Sequence, residues 1–339
     1  MELVKITEAV GHVLCHDMTQ IIRGEKKGPV FRKGHVLRAE DIPVLLSIGK
    51  EHLYVWEKKA GMIHEDEAAE MLYHLCKGDN MNATEIKEGK IELIAASDGV
   101  LKINLDKMNQ INALGDIMIA SRHGNFPVKA GDTIAGTRVI PLVIEEQKMN
   151  QAKAICEGEP IFEIRQYVHK KVGIVTTGSE VYHGRIKDTF TPVIAEKLAE
   201  FDVEIIGHVI SDDQHEMITQ SIISLIEQGA DMIICTGGMS VDPDDRTPLA
   251  IKNTGARMIT YGAPVLPGAM FLLAYYQENI PIMGLPGCVM YAKRTIFDLV
   301  LSRIMTDEKL QITDFTTMGQ GGLCLSCEVC TYPNCGFGK

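Results

Sequence analysis

The sequence predicts an α/β protein. A three-layer, doubly wound domain spans residues 169–310, preceded by a small α+β domain (1–60) and a helix plus β-rich domain (61–168), with a Cys-rich tail at 311–339. Three observations lead there. Between 171 and 305, short apolar runs alternate with amphipathic stretches of helical period. Between 90 and 145, strand-like runs are separated by the turn signals Ser97-Asp98-Gly99 and Ala130-Gly131-Asp132. Four of the nine cysteines are crowded into 324–335.

The elements follow in order. Residues 1–60 contain a loop or hairpin between Arg23 and Lys33, a short helix over 39–48 and a strand over 53–56. Residues 61–77 read as a helix, with Ala68, Ala69, Met71, Leu72 and Leu75 on one face. Strands are expected at 91–94, 99–103 and 139–144. The stretch 128–134 is similar to hairpins of lipoyl-type barrels, but no lysine-bearing carrier hairpin accompanies it, so it is read as structural. From 171 the pattern gives a strand at 172–176 and a helix at 191–201 with a Thr cap and Pro192 at its first position. A strand at 203–209 follows. Ser211-Asp212-Asp213-Gln214 then offers a capping box for a helix burying Ile218, Ile222, Leu225 and Ile226. A strand at 232–235, a helix at 248–253, later strands and a helix at 289–305 complete the domain.

Composition narrows the function classes. The chain has 339 residues, 45% hydrophobic and 23% charged, a balance that describes a globular protein of more than one small core. Its formal net charge of -11 argues against nonspecific binding to nucleic acid or anionic membrane. Anionic small molecules stay in play, because backbone amides can hold phosphates without a basic surface. No secretory signal is visible at the start, and runs such as 270–276 are far too short to span a bilayer. Five cysteines (Cys15, Cys76, Cys156, Cys235, Cys288) are scattered singly, so a disulfide framework is not expected and a reducing cytoplasm is. Cys235 and Cys288 are read as small apolar residues beside strand ends. His12 and His16 are four apart, but their neighbours suggest a strand, and they are assigned no metal.

The most informative stretch is Thr236-Gly237-Gly238-Met239-Ser240-Val241-Asp242-Pro243-Asp244-Asp245-Arg246-Thr247-Pro248. It leaves an apolar strand and enters a Pro-started helix. Adjacent glycines let a ligand approach the backbone. Asp242, Asp244 and Asp245 form a carboxylate density that is costly unless a cation or phosphate chemistry uses it. Such a loop belongs at the carboxyl edge of a parallel sheet, where these folds place ligands.

Further loops join it: Thr177-Gly178-Ser179-Glu180 with Gly184 and Asp188-Thr189, then Ser211-Asp212-Asp213, Pro267-Gly268 and Gly284-Leu285-Pro286-Gly287. Taken in this order, the set resembles the molybdopterin-binding domain of molybdenum cofactor biosynthesis, closest to molybdopterin molybdenumtransferases. Glu8-Ala9-Val10-Gly11-His12-Val13-Leu14 resembles the start of those proteins. The resemblance implies a domain that holds molybdopterin or adenylylated molybdopterin, with insertion of molybdate and release of AMP. It implies that Asp245 orients magnesium at a phosphate, with Glu180 and Asp188 at acidic positions of the first loop. Thr177, Gly178, Ser179, Thr236, Gly237, Gly238, Ser240, Asp242, Pro267, Gly268, Pro286 and Gly287 would then contact the ligand. A helix-terminal acid complementing the dipole before Pro248 is the other reading of Asp245. A homodimer, and a molybdoenzyme or adenylyltransferase partner, are further expectations of the resemblance.

The chain departs from that family's pattern at defined places. Ser179 stands where the first acid belongs, Leu266 and Ala269 where two lysines belong, and Cys288-Val289 where Asn-Pro belongs. Molybdate is a dianion and needs positive charge or strong donors, so pterin binding fits these residues better than metal insertion. A non-catalytic cofactor carrier is one alternative. The Gly237 to Thr247 segment also resembles the competence-damage family, whose related domain hydrolyses nucleotide pyrophosphates, which makes a pyrophosphatase the other.

Cys324, Cys327, Cys330 and Cys335 form C-x2-C-x2-C-x4-C. The first three repeat the spacing of bacterial ferredoxins, and Cys335 can serve as the fourth ligand. A [4Fe-4S] cluster, Zn2+, or a redox tail without permanent metal all fit that pattern.

Overall fold

The computed structural model describes residues 2–55, 60–240, 242–243 and 245–339. The chain forms two compact units. One comprises residues 1–96, 103–122 and 130–163, and the other residues 97–102, 123–129 and 164–339.

In the first unit Glu2–Lys5 pairs antiparallel with His52–Val55, and Met18–Ile22 with Lys26–Phe31 as a hairpin that begins before the loop or hairpin expected between Arg23 and Lys33. Trp56, the last residue of the expected strand, lies outside the described residues. A four-stranded antiparallel sheet runs in the order Met81–Ala83, Lys90–Ala95, Thr133–Val139, Ile117–Ser121. The expected helix over 61–77 is Glu65–Cys76 and buries Ala68, Ala69 and Leu72. Its anticipated first turn is instead a strand, Met62–His64, paired with Val143–Glu145. Two helices, Leu105–Asn112 and Glu146–Cys156, were not anticipated. Each is short and polar with one buried stripe, which gives little periodic signal. His12 and His16 are not on a strand; Val13 makes only an isolated bridge to Val36.

The second unit is built on a six-stranded sheet in the order Val203–Ser211, Lys170–Thr177, Met232–Thr236, Ile280–Leu285, Leu272–Tyr276, Arg257–Tyr261. The first four strands run parallel and Leu272–Tyr276 runs against its neighbours. Both faces are covered, as the near-continuous apolar strands require. Side chains alternate between the faces along each strand. Val172, Ile174, Met232, Ile234 and Met283 meet helices Phe190–Leu198 and Ile296–Ile304. Val175, Ile233, Cys235 and Ile282 meet helices His215–Glu227 and Thr247–Asn253. Fully burying each such aliphatic side chain contributes roughly 1.5–3 kcal/mol.

Helix starts differ from expectation for identifiable reasons. Phe190–Leu198 begins one residue before Thr191, and its cap is Asp188, whose Oδ1 accepts from the N–H of Phe190 (2.8 Å) and Thr191 (3.1 Å). The capping box at 211–214 does not form, because the Asp213 carboxylate turns to the N–H of Ser179 (2.8 Å). The single helix expected over 289–305 is a 3-10 turn, Gly287–Met290, and a separate helix, Ile296–Ile304. Thr295 and Asp298 form a capping box there. Asp298 also holds Lys197 (2.7 Å) and Arg294 (3.0 Å), so three buried or half-buried charges are fixed together.

The tail packs into the second unit. Leu266 N–H donates to the Gly322 carbonyl and Cys324 N–H to the Leu266 carbonyl, both at 2.8 Å. Phe337 is buried in the core and Arg294 lies over the Tyr332 ring at 5.1 Å.

Candidate functional site

A cavity of about 190 Å3 opens at the carboxyl end of Lys170–Thr177, lined by residues of three loops: 176–190, Asp213 and Gly237, Gly238 and Asp245. It brings together most of the chemistry expected from the first three motifs.

Close approach of two strand ends builds its floor. A Cβ on Gly237 would lie 2.2 Å from the Thr177 carbonyl oxygen, and Gly237 has φ +84°. Only glycine fits there. Thr247 Oγ1 donates to the Gly237 carbonyl (2.9 Å) and lies 3.2 Å from Thr177 Oγ1, pinning the first and third loops together. Thr236 is fully buried beneath the cavity and does not line it.

Asp245 accepts from the N–H of Ser240 at 2.9 Å and donates its own N–H to the Asp242 carbonyl at 2.9 Å. Tyr261 Oη donates to the carbonyls of Met239 (3.2 Å) and Ser240 (3.3 Å), a prop for the loop that the sequence did not point to. Asp245 therefore does line the cavity, whereas Ser240 and Asp242 are exposed beside it. Val241 and Asp244 lie outside the described residues.

Glu180, Asp213 and Asp245 face the same cavity. Partial burial pushes the Asp213 carboxyl above the usual carboxylate range. The N–H of Ser179 opposes that push, while the charges of Glu180, Asp212 and Asp245 add to it. Asp188 lines the cavity too but is spent on structure. Burial works against its charge, yet bonds from Thr191 and Phe190 and the neighbouring His208 hold it below the usual range. His208 Nε2 is 3.0 Å from both Thr176 Oγ1 and Thr191 Oγ1.

Other expected ligand contacts lie apart from this cavity. Pro286 and Gly287 continue the strand Ile280–Leu285, two places from Lys170–Thr177 in the sheet, and neither lines it. Gly268 is packed against Ile296, where a Cβ would lie 2.5 Å from Cγ2, and Pro267 precedes it. Leu266 is tied to the tail, so the positions of the two missing lysines do not border the cavity. Lys187 and Phe190 are lining residues that the sequence reading did not select, while Asp213, named there as part of the second loop without a role, lines the cavity as well. Lys187 precedes Asp188 in the first loop, and that adjacency was the available signal.

Eight of the nine cysteines divide into two kinds, and Cys288, in the turn after Ile280–Leu285, is half-buried. Cys15, Cys76, Cys156 and Cys235 are buried, and burial raises the thiols of Cys76, Cys156 and Cys235, the last to about 12. Cys327 and Cys330 are exposed, and Cys324 and Cys335 border the core. Among the described residues, no three His, Cys, Asp or Glu side chains converge closely enough to share a metal ion. Among them, too, no helix is long and apolar enough to cross a membrane.

The acid-lined, glycine-bearing cavity lies at the carboxyl edge of a mainly parallel sheet, the place where doubly wound folds bind their ligands. Residues 173–306 match a family model described as a probable molybdopterin binding domain, and residues 3–57 match one described as a domain of unknown function. The second unit thus carries a domain of the molybdopterin-binding family. A CinA-like protein of Mycobacterium avium is 35% identical over 98 residues, 29% of this chain and 23% of that protein. A CinA-like protein of Mycobacterium tuberculosis is 39% identical over 80 residues, 24% of this chain and 19% of that protein. The chain therefore matches less than a quarter of the length of these curated relatives. Among solved structures, the molybdopterin biosynthesis enzyme MoaB of Thermus thermophilus is 22% identical, with a TM-score of 0.34, covering 41% of this chain and 98% of its own. The tungsten cofactor synthesizing protein MoaB of Pyrococcus furiosus is 21% identical, with a TM-score of 0.34, covering 40% and 92%.

Proposed function

We propose that the second unit binds molybdopterin or adenylylated molybdopterin in the cavity between Gly178, Asp213 and Gly238. With magnesium, Asp245 then acts on the adenylylated form, whose phosphoanhydride bond breaks and releases AMP as molybdate is inserted. The observation that carries this reading is the convergence of Glu180, Asp213 and Asp245 with Gly178, Gly237 and Gly238 around one cavity. Magnesium is commonly held by one or two carboxylates together with substrate phosphates, which suits acids that face one space without forming a complete ligand set. Asp245, with either Glu180 or Asp213, would hold it together with the ligand's phosphate oxygens, whose charge the ion would neutralise. The Gly237–Gly238 backbone and Thr177 orient the ligand, and Lys187 provides positive charge at the rim. The family resemblance also supports a homodimer, which light scattering tests through the mass of the full chain.

Incubating the full chain with adenylylated molybdopterin, molybdate and magnesium separates the readings. AMP release that depends on molybdate is the expected result. Bound but intact ligand would point to a carrier that delivers the cofactor to a molybdoenzyme, and hydrolysis of ADP-ribose to the pyrophosphatase. Asp245→Asn keeps an oxygen for the Ser240 N–H while removing the charge, so AMP release should fall about 100-fold with the loop intact.

A further inference from the structure

We propose that the C-terminal segment is a four-thiolate metal site, with Cys324, Cys327, Cys330 and Cys335 as its ligands. The metal is iron in a sulfide cluster or zinc, both of which take four thiolates at close spacing.

Four observations carry the assignment. The tail thiols are chemically unlike the rest: four of the other five are buried as small apolar residues, while Cys327 and Cys330 are exposed and none of the four is disulfide-bonded. Exposed free thiols at this density are a liability unless a cation uses them.

Second, the segment is already anchored at both ends. Cys324 is bonded to Leu266, Gly338 N–H donates to the Gly321 carbonyl at 2.8 Å, and Phe337 is buried. Gly321 is required for this closure, since a Cβ there would lie 1.8 Å from the Lys339 carbonyl oxygen. Organising the ligands thus orders only the short turn between the anchors.

Third, that turn has donors to offer. Among the described residues, the backbone N–H groups of 325–330 make no backbone hydrogen bond, leaving them free to point at thiolate or sulfide sulfur.

Fourth, a lysine lies against the turn. A centre of four thiolates around Zn2+, or around an oxidised four-iron core, is dianionic. Lys293 Nζ donates to the Glu328 carbonyl at 2.5 Å. Lys293 also lines a cavity of about 410 Å3 with Cys330 and Tyr332, where Arg294 is paired with Glu200 and Asp298. Partial neutralisation by Lys293 lowers the cost of the anionic centre.

The four sulfurs do not converge in the structure, so ligation requires side-chain rotation and a rearrangement of the 325–331 turn. Thiolate ligation releases protons, and metal binding then stabilises the turn.

The test is metal and sulfide analysis of the full chain purified anaerobically, with its visible spectrum. About four irons and four sulfides per chain with a broad visible band, or about one zinc without colour, supports the site and identifies the metal. Cys327→Ser and Cys330→Ser should each lower metal content at least tenfold. Both side chains are exposed, so urea unfolding of the second unit should stay unchanged in metal-free protein. Cys288→Ser should retain the metal. Iron and zinc both below about a tenth per chain, or full metal content in both tail variants, would overturn the proposal.

Discussion

Replacing Gly237 by alanine tests whether the cavity floor depends on a backbone approach that only glycine permits. At φ +84° an L-residue is strained by roughly 1–2 kcal/mol. The new Cβ would also sit 2.2 Å from the Thr177 carbonyl oxygen and 2.7 Å from Thr177 Oγ1, well inside contact distance, so the two strand ends must part. Parting them strains the Thr247 Oγ1 bond to Gly237 (2.9 Å) and the Thr177–Thr247 hydroxyl contact (3.2 Å), each contributing about 1 kcal/mol. The expected cost is about 3–4 kcal/mol. Because the chain has two compact units, the loss is best read by hydrogen exchange at the strands Lys170–Thr177 and Met232–Thr236, alongside urea unfolding. Gly287 is the control: it lies in another glycine motif, has no positive φ and meets nothing within 4 Å, so Gly287→Ala should cost under about 0.5 kcal/mol. If the two variants lose the same stability, the geometric argument for the cavity floor is wrong.

Three further outcomes are expected. Asp298→Asn should destabilise the second unit by about 3 kcal/mol in urea, because Lys197 and Arg294 lose the buried charge they share, and a loss below about 1 kcal/mol would contradict this. Burial opposes the charge of Glu308, but the bonds and charges of Arg303 and Lys102 bring its pKa down to about 2. Its stabilisation is therefore complete above the ordinary value of 4.5 and lost as pH falls toward 2, so Glu308→Gln should remove up to about 3 kcal/mol of acid-range pH dependence. Burial, then the charge of Asp66, pushes Glu65 up to about 7 against Lys33 and Arg138. Its favourable contribution is complete below 4.5 and lost as pH rises through 7, so Glu65→Gln should outlast the parent protein in thermal melts at pH 8 but not near pH 4.5.

The parallel core of the second unit was legible because its strands are buried on both faces and its helices carry one apolar stripe. Val172, Ile234 and Ile222 announce themselves by period alone. Helix starts were less legible, since a carboxylate has several amides to choose from. Asp213 could cap its own helix at short range, yet it bonds the N–H of Ser179, 34 positions earlier, which only the adjacency of the two strand ends makes available. Asp188 shows the converse: read as an acid for chemistry, it also supplies the cap that Thr189 does not. The helices Leu105–Asn112 and Glu146–Cys156 escaped notice because only one or a few of their positions are buried.

The departures from the family pattern take a different meaning once the loops are placed in space. Ser179 removes an acid from the first loop, but its N–H fixes the carboxylate of Asp213, so the cavity still faces Glu180, Asp213 and Asp245. Burial is the larger cause of the raised Asp213 carboxyl, and the repulsion from Glu180, Asp212 and Asp245 that adds to it is the part a cation would relieve. Leu266 and Ala269, where the family pattern has lysines, do not line this cavity, and Leu266 holds the cysteine segment through Gly322 and Cys324. Within the cavity the positive charge comes instead from Lys187, on the first loop. One loop thus serves a structural task while its neighbours carry the acids and glycines. A phosphate-bearing ligand held through a divalent ion needs the acids and glycines, whereas an incoming oxyanion needs the lysines. Binding of the pterin is therefore the better supported half of the proposed reaction, and the molybdate dependence of AMP release is where that reaction is most exposed to failure.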